Sequence, residues 1–590
     1  MPFSDLQHFM AVLERRGELR RIRVEVDPEL EITEIATRVV RDEGPALLFE
    51  RVKGSDFPLL INVLGSPGRI ELALGRHPQG VGEELIGLLE RANPPSLKAL
   101  WQARSTVRRV LAGRLKPVRR GISQQVVEAP DLSTLPVVKC WPQDAGKFIT
   151  FPLVITHRPA DGRSNMGVYR MQLHDNVSTG MHWQLQKGGG FHYQEAEAQG
   201  RPLEVAACLG GDPVLLLAAV LPLPESLEEL VFAGILRGKP TPMVRAKSLA
   251  MRVPANAEFV LEGRVEPGER LPEGPFGDHL GHYSDESPFP VFRIQTVTRR
   301  KHPVYLAAVV GKPPQEDRYL GEAAQQFLNP FVKLIQPEIE DMWAYYETGF
   351  HNLVVVSVRS RYAKEPMKTA LGLFGNGQLS LTKCIVLVGP GVDPRDFDAV
   401  LGEIQRHYRS ESDFLLLPKV PLDTLDFTSF QMHLGSKMAI DATPKQDRPP
   451  DRPGPAMTAD LSRLAPEAKG WRLVRETLLA VTVATEDARS VLTRLCRDDG
   501  LAGVKLIAAV SPDVDLDDRT SLLWGIFTRF DPARDVIFRE MRMEGAAPVY
   551  RGPLGIDATF KPGYPATLEM DAETVAKVDR RWDDYWQGEG

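Results

Sequence analysis

Cysteine is scarce: the 590 residues include only 4, at Cys140, Cys208, Cys384 and Cys496. They lack Cys-x-x-Cys spacing and lie in apolar surroundings, which excludes a disulfide framework and a thiolate zinc site and fits a reducing cytosol. Excess charge of one sign is also missing, since 72 Lys and Arg stand against 78 Asp and Glu for a net charge of -6. Without a sequence-wide basic footprint, nucleic acid is not an expected partner. Long apolar runs are absent too: the longest, Val214 to Leu221, is far too short to span a bilayer. The start, Met1-Pro2-Phe3-Ser4-Asp5, has no basic segment followed by an apolar run, so a soluble, unexported, cytoplasmic protein is expected.

What the chain does have is length, enough for roughly three or four domains and internal clefts. Leu6, Phe9, Met10 and Leu13 fall at helical spacing behind Ser4 and Asp5 as caps, with Gly17 placed to stop the helix. Ile22, Val24 and Val26 alternate as a strand, Ile32, Ile35, Ala36 and Val39 mark a second helix, and Leu47 to Val52 reads as another strand. From about Leu153 the texture changes to short strands between Gly, Pro and Asp, including Phe259 to Val265, Val291 to Val297 and Val304 to Val310. This clustering predicts a β-rich, barrel-like middle domain. A helical stretch from Glu316 to Trp343, interrupted near Pro330 and Pro337, then leads to a strand at Leu353 to Val358.

Asp447 to Pro455, rich in Pro and charge, favours a stiff linker. The sequence repeats across it. Lys383 to Val388 before Gly391-Val392-Asp393 resembles Lys505 to Val510 before Asp513-Val514-Asp515, and Ile440-Asp441-Ala442-Thr443 recurs as Ile556-Asp557-Ala558-Thr559. The expected plan is an α/β domain over 1–120, a middle domain over 121–315, a helical connector over 316–350, an α/β domain over 351–446, a linker over 447–470, and a degenerate second copy with a tail over 471–590. The first copy carries Lys437 where the second has Pro553, although a lysine taken alone is usually a solvated surface residue.

Three groups of residues suggest chemistry. Arg170 follows Met166 and Val168 on an apolar alternation, so its charge needs a partner; a carboxylate gripped in two places suits it, as does a structural ion pair. Glu273 and Asp278 flank a Gly-Pro-x-Gly turn that can bring both acids to one cavity with pKa values pushed apart, although acids are also common in solvated turns. Gly188-Gly189-Gly190 could admit a phosphate but is no P-loop. His174, His182 and His192 lack metal-ligand spacing and read as ordinary polar or packing residues.

Together these residues are recognisable. Asp5-Leu6 through Gly17-Glu18-Leu19, then Glu31 to Ile35, Gly44 to Glu50, Cys140-Trp141-Pro142, Asn165 to Arg170, Glu273 to Asp278, and Gly435 to Thr443 resemble the UbiD-type decarboxylases, in that family's order. The match runs to about Lys445 and resumes near Asp557. The resemblance implies non-oxidative decarboxylation of an aromatic or unsaturated acid with prenylated FMN, a divalent metal, usually manganese, and potassium. It further implies a flavin-reductase-like split β-barrel for the middle domain, a dimer or hexamer, a flavin prenyltransferase as supplier of the cofactor, and membrane association only through a lipophilic substrate.

By position, Arg170, Glu273 and Asp278 match the family's catalytic arginine and acids, and Asn165, Met166, Gly167, Arg170, Leu185, Gln186 and Lys437 match its cofactor contacts. Asn165, Gln186 and Glu229 match the metal ligands, with glutamine standing where histidine is usual. The length and the duplicated C-terminal region resemble the branch acting on a dihydroxynaphthoate in the futalosine route to menaquinone. A polyprenyl-hydroxybenzoate decarboxylase of ubiquinone synthesis and a non-catalytic paralogue are the alternatives.

Overall fold

Leu6, Phe9, Met10 and Leu13 are all buried on one side of the Leu6–Arg15 helix in the computed structural model, which describes residues 3–91, 101, 104–184, 188–223, 226–451 and 457–587. The Asp5 carboxylate accepts from His8 N at 2.9 Å, and Gly17, at φ +72°, supplies the left-handed residue that ends the turn. Beyond it, Leu19–Ile22, Ala46–Phe49 and Leu59–Ile61 form a sheet with Tyr305–Leu306. That last strand departs from expectation. Of Val304 to Val310 only the fully buried Tyr305 and Leu306 are strand, and they pair in parallel with Leu59 and Leu60, not with the middle sheet.

The middle sheet has seven strands, in the order Ser178–Gly180, Ser287–Arg299, Phe259–Glu273, Leu203–Leu209, Pro152–His157 and Ser164–Val168, with Val126–Glu128 also on Ser287–Arg299. Its pairs are antiparallel, and among the described residues the two end strands do not pair with each other, so no closed barrel forms. The long Phe259–Glu273 strand slips register at Gly263, where a Cβ would stand 2.0 Å from the Arg293 carbonyl oxygen; only glycine allows that approach.

The C-terminal region contains two five-stranded sheets of one topology: Ile339–Ala344, Val354–Val358, Cys384–Val388, Gly435–Ala442, Phe414–Val420 in the first, and Gly470–Val474, Leu478–Thr482, Leu506–Val510, Ala547–Ala558, Val536–Glu544 in the second. Cys384 is paired with Met438 and Leu506 with Leu554, so Pro553 occupies the register position of Lys437. The repeated motif folds the same way twice. Thr443 Oγ1 donates to Asp441 and Thr559 Oγ1 to Asp557, both at 2.6 Å, while Lys445 and Lys561 reach back to the Asp441 and Asp557 carbonyls at 2.8 and 2.7 Å. One core, including Tyr345, Leu401, Leu523 and Trp524, is shared by the two sheets.

Pro330 lies inside the Asp317–Ile335 helix without ending it, because a proline in a long helix removes one hydrogen bond and bends the axis. Met342 and Trp343 then belong to a strand rather than to that helix. The first part of the expected linker is tied down: Asp451 N donates to Arg406 O at 2.7 Å, and Lys505 Nζ lies 2.9 Å from the Asp451 carboxylate. Residues 452–456 lie outside the described residues. The chain divides into two compact units, 1–327 with 566–590, and 328–565.

Candidate active site

Three chain segments meet at one buried ion cluster in the first unit. The Ser164–Val168 strand delivers Arg170, the end of the Phe259–Glu273 strand delivers Glu273, and the short hairpin of Phe276–Gly277 with Tyr283–Ser284 carries Asp278 at its bend. Arg170 Nε donates to Glu273 Oε1 at 3.1 Å, its Nη1 to Asp278 Oδ2, and its Nη2 to Ser284 Oγ at 3.1 Å. The guanidinium lies over the Phe276 ring, 4.5 Å from its centroid. Arg170 and Glu273 are 9% and 1% exposed, so neither charge is satisfied by bulk water. The arginine, the two acids and the turn singled out in the sequence therefore converge.

His182, expected as an ordinary polar residue, belongs to this cluster. It follows the Ser178–Gly180 strand, and its Nδ1 lies 2.8 Å from Glu273 Oε1, with its ring against Phe289 at 4.2 Å between centroids. Burial, aided by Arg170, holds the His182 pKa below its ordinary value, so the neutral ring donates from Nδ1. Ser284 was missed as well, since a serine in a short hairpin carries no sequence signal of its own. His182 has none either, because its partner Glu273 lies 91 residues away and only the fold brings the two together. His192 is buried on Thr156, 2.8 Å from its Oγ1, and burial lowers its pKa to about 4.

The acids titrate differently from expectation. Burial pushes the Glu273 pKa up, but His182 and Arg170 outweigh it and the net displacement is downward. Asp278 is likewise buried, yet Arg170 and His279 hold it well below the usual carboxylate range. Both acids are carboxylates in this arrangement. Glu273 uses its oxygens unequally: Oε1 takes both Arg170 and His182, while the buried Oε2 has no hydrogen-bond partner. A Cβ on Gly180 would stand 2.8 Å from Oε2, so glycine keeps the approach to that oxygen open.

The hairpin is braced from two sides. Asp144 accepts from Trp141 N at 2.9 Å and Gly277 N at 2.8 Å, and Trp141 Nε1 donates to Val310 O at 2.9 Å. From the other side Tyr283 N donates to Ala566 O and Leu568 N to Gly281 O, both at 3.0 Å, with His282 bridged to Thr567. The Cys140-Trp141-Pro142 block thus supports the acid hairpin.

Asn165 and Glu229 come together beside this sheet: Met166 N donates to Glu229 Oε2 at 2.9 Å, and Asn165 Nδ2 donates to Tyr169 Oη at 3.3 Å. A Cβ on Gly188 would stand 2.1 Å from Asn165 Oδ1, so the glycine that opens the Gly188–Ala198 helix leaves the amide oxygen uncovered. Burial, with Glu228 adding to it, raises Glu229 to about 7. A buried carboxylate raised in this way, beside an open amide oxygen, fits a hard cation. Leu185 and Gln186 lie outside the described residues, and among the described residues no three His, Cys, Asp or Glu side chains cluster as a metal set. Lys437, in the second unit, is 2% exposed instead of solvated; its Nζ donates to Ser380 O at 2.7 Å and Thr382 O at 2.8 Å, and burial lowers its pKa to about 8. Within the first unit, the Asn165 amide oxygen, the Glu229 carboxylate and the opening at Gly188 form a donor set that fits a hard cation.

The N-terminal, Rift-related and C-terminal domain models of 3-octaprenyl-4-hydroxybenzoate carboxy-lyase match residues 10–89, 116–313, and both 318–442 and 461–558. A Chlamydia pneumoniae protein named as a component of 4-hydroxybenzoate decarboxylase is 36% identical over 586 residues, covering 99% of this chain and 98% of its own. Among solved structures, the closed form of vanillic acid decarboxylase from Sedimentibacter hydroxybenzoicus has a TM-score of 0.68 at 26% identity, covering 78% of this chain and 97% of its own. The UbiD-class enzyme HmfF of Pelotomaculum thermopropionicum, in complex with FMN, has a TM-score of 0.64 at 27% identity, covering 75% and 95%. An evolved dimeric form of HmfF, in complex with prFMN, has a TM-score of 0.62 at 26% identity, covering 78% and 100%.

Proposed function

Because this chain belongs to the UbiD family of carboxy-lyases, we propose that it decarboxylates an aromatic acid non-oxidatively at the Arg170, Glu273, Asp278 cluster, with prenylated FMN as cofactor. The observation that carries this reading is the division of labour on Glu273: one oxygen held by Arg170 and His182, the other buried and unpartnered.

The chemistry then follows from the residues. Prenylated FMN, when bound, supplies the electron sink for the bond pair left by departing carbon dioxide. Arg170 orients the substrate carboxylate, since a planar fork fits a carboxylate at two points. When the substrate carboxylate takes over the guanidinium, Glu273 loses one of the two groups that hold its pKa down, burial then raises it, and the acid takes up a proton from solvent. Oε2 delivers that proton to the carbon that carried the carboxylate, while His182 holds Oε1 in place. Asp278 stays ionised and keeps Arg170 aligned. Asn165 and Glu229, with Gln186, would hold manganese against the flavin phosphate, Met166, Gly167 and Leu185 would line the cofactor, potassium would share its phosphate site, and Lys437 would contact the phosphate. A Gln186→His variant should keep or increase bound manganese, since imidazole is a good ligand for divalent transition metals; metal analysis of the purified variant checks this.

For the substrate we infer a dihydroxynaphthoate of the futalosine route to menaquinone, on the strength of the chain's length and its duplicated C-terminal region. The 36% identical relative named for 4-hydroxybenzoate decarboxylase, matched over 99% of this chain, supports a small hydroxybenzoate as the second reading. We read the open middle sheet as a split barrel and the native state as a dimer or hexamer, served by a flavin prenyltransferase. The protein loaded with prenylated FMN should release carbon dioxide from one of these acids; absence of release from naphthoates, hydroxybenzoates and polyprenyl-hydroxybenzoates alike would overturn the reading.

A further inference from the structure

An acid that protonates product must be reloaded once in every turnover. The Glu273 side chain is 0% exposed, and its Oε1 is taken by Arg170 and His182, so the proton has to reach the buried Oε2 through a neighbouring group. His174, an ordinary polar residue by its sequence, is placed to be that group.

A hairpin sets the placement. Leu173 bridges Thr179 in antiparallel register, His174 N donates to Ser178 O at 3.1 Å, and Asp175, Asn176 and Val177 are exposed at the bend. Alternation then puts Gln172, His174 and Gly180 on one face, with His174 and Gly180 as diagonal neighbours across the two arms. Gln172 shows where that face points, since its Oε1 accepts from Gly274 N, the residue next to Glu273, at 2.9 Å. The missing side chain at Gly180 opens the space between ring and acid. A Cβ there would stand 3.4 Å from His174 Nε2 and 2.8 Å from Glu273 Oε2, so the two atoms border the same point. Both atoms are buried, and among the described residues neither has a hydrogen-bond partner. A single water between them would pair both.

Imidazole suits this position because it can take a proton at one nitrogen while releasing one from the other. The charged groups facing His174 are Glu273 and Asp175, which favour the imidazolium; burial opposes them and prevails, so the ring lies below its ordinary pKa and parts with a proton readily. We propose that His174 relays protons from solvent to Glu273 Oε2 across one water over Gly180, an inference that rests on the reading of Glu273 as proton donor. As Nδ1 takes a proton from solvent, Nε2 gives its own to the water and the water gives one to Oε2: one N–H forms, one breaks, and one O–H forms on the acid. A half-turn of the ring restores the starting tautomer. His174 thus acts on the substrate only through Glu273.

The holoenzyme tests this with His174→Ala. Turnover should fall at least about ten-fold, with KM and flavin content unchanged. Imidazole added to the buffer should restore turnover, whereas pyrazole, of the same shape but far less basic, should not. Unchanged turnover, or equal rescue by both compounds, would overturn the relay. A second measurement needs no activity: on protein whose histidines carry carbon-13, the His174 resonance should titrate at lower pH in Glu273→Gln than in the wild type, because the carboxylate that favours the imidazolium is gone. Identical titrations would uncouple the two groups and overturn the proposal, also where His174→Ala fails to fold. A wild type that releases no carbon dioxide from any acid, yet shows this shift, would overturn the decarboxylase reading and leave the coupling of His174 to Glu273 standing.

Discussion

A guanidinium shared by two buried carboxylates and a serine hydroxyl has its donors set in fixed directions, and geometry matters there more than charge. Arg170→Lys keeps the charge but loses the planar fork, so one of Glu273, Asp278 and Ser284 loses its partner in a buried site. Steady-state kinetics should show kcat/KM down at least ten-fold; unchanged kinetics would make Arg170 purely structural. Glu273→Gln preserves size and the contact to Arg170 while removing the transferable proton. We expect it to fold, to keep flavin absorbance, and to lose about 10²- to 10⁴-fold in turnover, the usual range for a general acid. Asp278 adds a pH signature. Its folded pKa lies below the unfolded 3.8, so its contribution to stability is present above that value and is lost as pH falls through the folded one. Asp278→Asn should therefore flatten the acid limb of a stability-versus-pH curve, whereas an unchanged limb would show that Asp278 is not ion-paired in solution. Arg170, Glu273 and Asp278 were legible because a charge on an apolar alternation and two acids around a rigid turn need explaining. His182 was not, since a histidine is neutral as often as it is charged, and its role depends on a strand end meeting it across 91 residues.

Elements are placed here by others distant in sequence. The acid hairpin has only two residues in each strand, too few to hold its own geometry, so Trp141, Asp144 and the 566–568 segment brace it. That segment is itself anchored by the Ala572–Trp586 helix, whose Lys577 lies 2.8 Å from Glu31 and whose Tyr585 Oη donates to Glu31 at 2.7 Å, with Arg581 on the same carboxylate. Glu31 is 1% exposed. Removing one partner of a buried charge cluster typically costs about 3–5 kcal/mol. Glu31→Ala should thus lower the melting temperature and expose the C-terminal helix to limited proteolysis before the rest of the chain; a protease-resistant C-terminus in this variant would show that the helix is held by other contacts. Periodicity marked the helices and most strands because the 3.6 and 2.0 repeats are local properties. It did not place Tyr305–Leu306, where two buried residues look alike in any sheet, nor the tail that braces the hairpin, because a docking partner leaves no trace in the periodicity of the segment it meets.

At the scale of the molecule the duplication was readable from short repeated strings, and the two sheets share strand order, with Lys437 and Pro553 at matching buried positions. Copy one holds a lysine there and copy two a proline, so equal scaffolds carry unequal chemistry. Burial depresses Lys437 from 10.5 to about 8. Between those values the unfolded chain keeps a proton that the folded chain has released, so the stability contributed by this group rises as pH climbs through that window, and Lys437→Met should lack the rise. A phosphate bound at Lys437 needs the charged form. Flavin retention by the wild type should then decline as pH passes about 8, Lys437→Ala should retain flavin weakly at every pH, and Pro553→Ala should behave as wild type. Flavin absorbance after gel filtration across pH reads all three. Full retention by Lys437→Ala would remove the lysine from the cofactor site, and loss in Pro553→Ala would move the phosphate contact to the second copy.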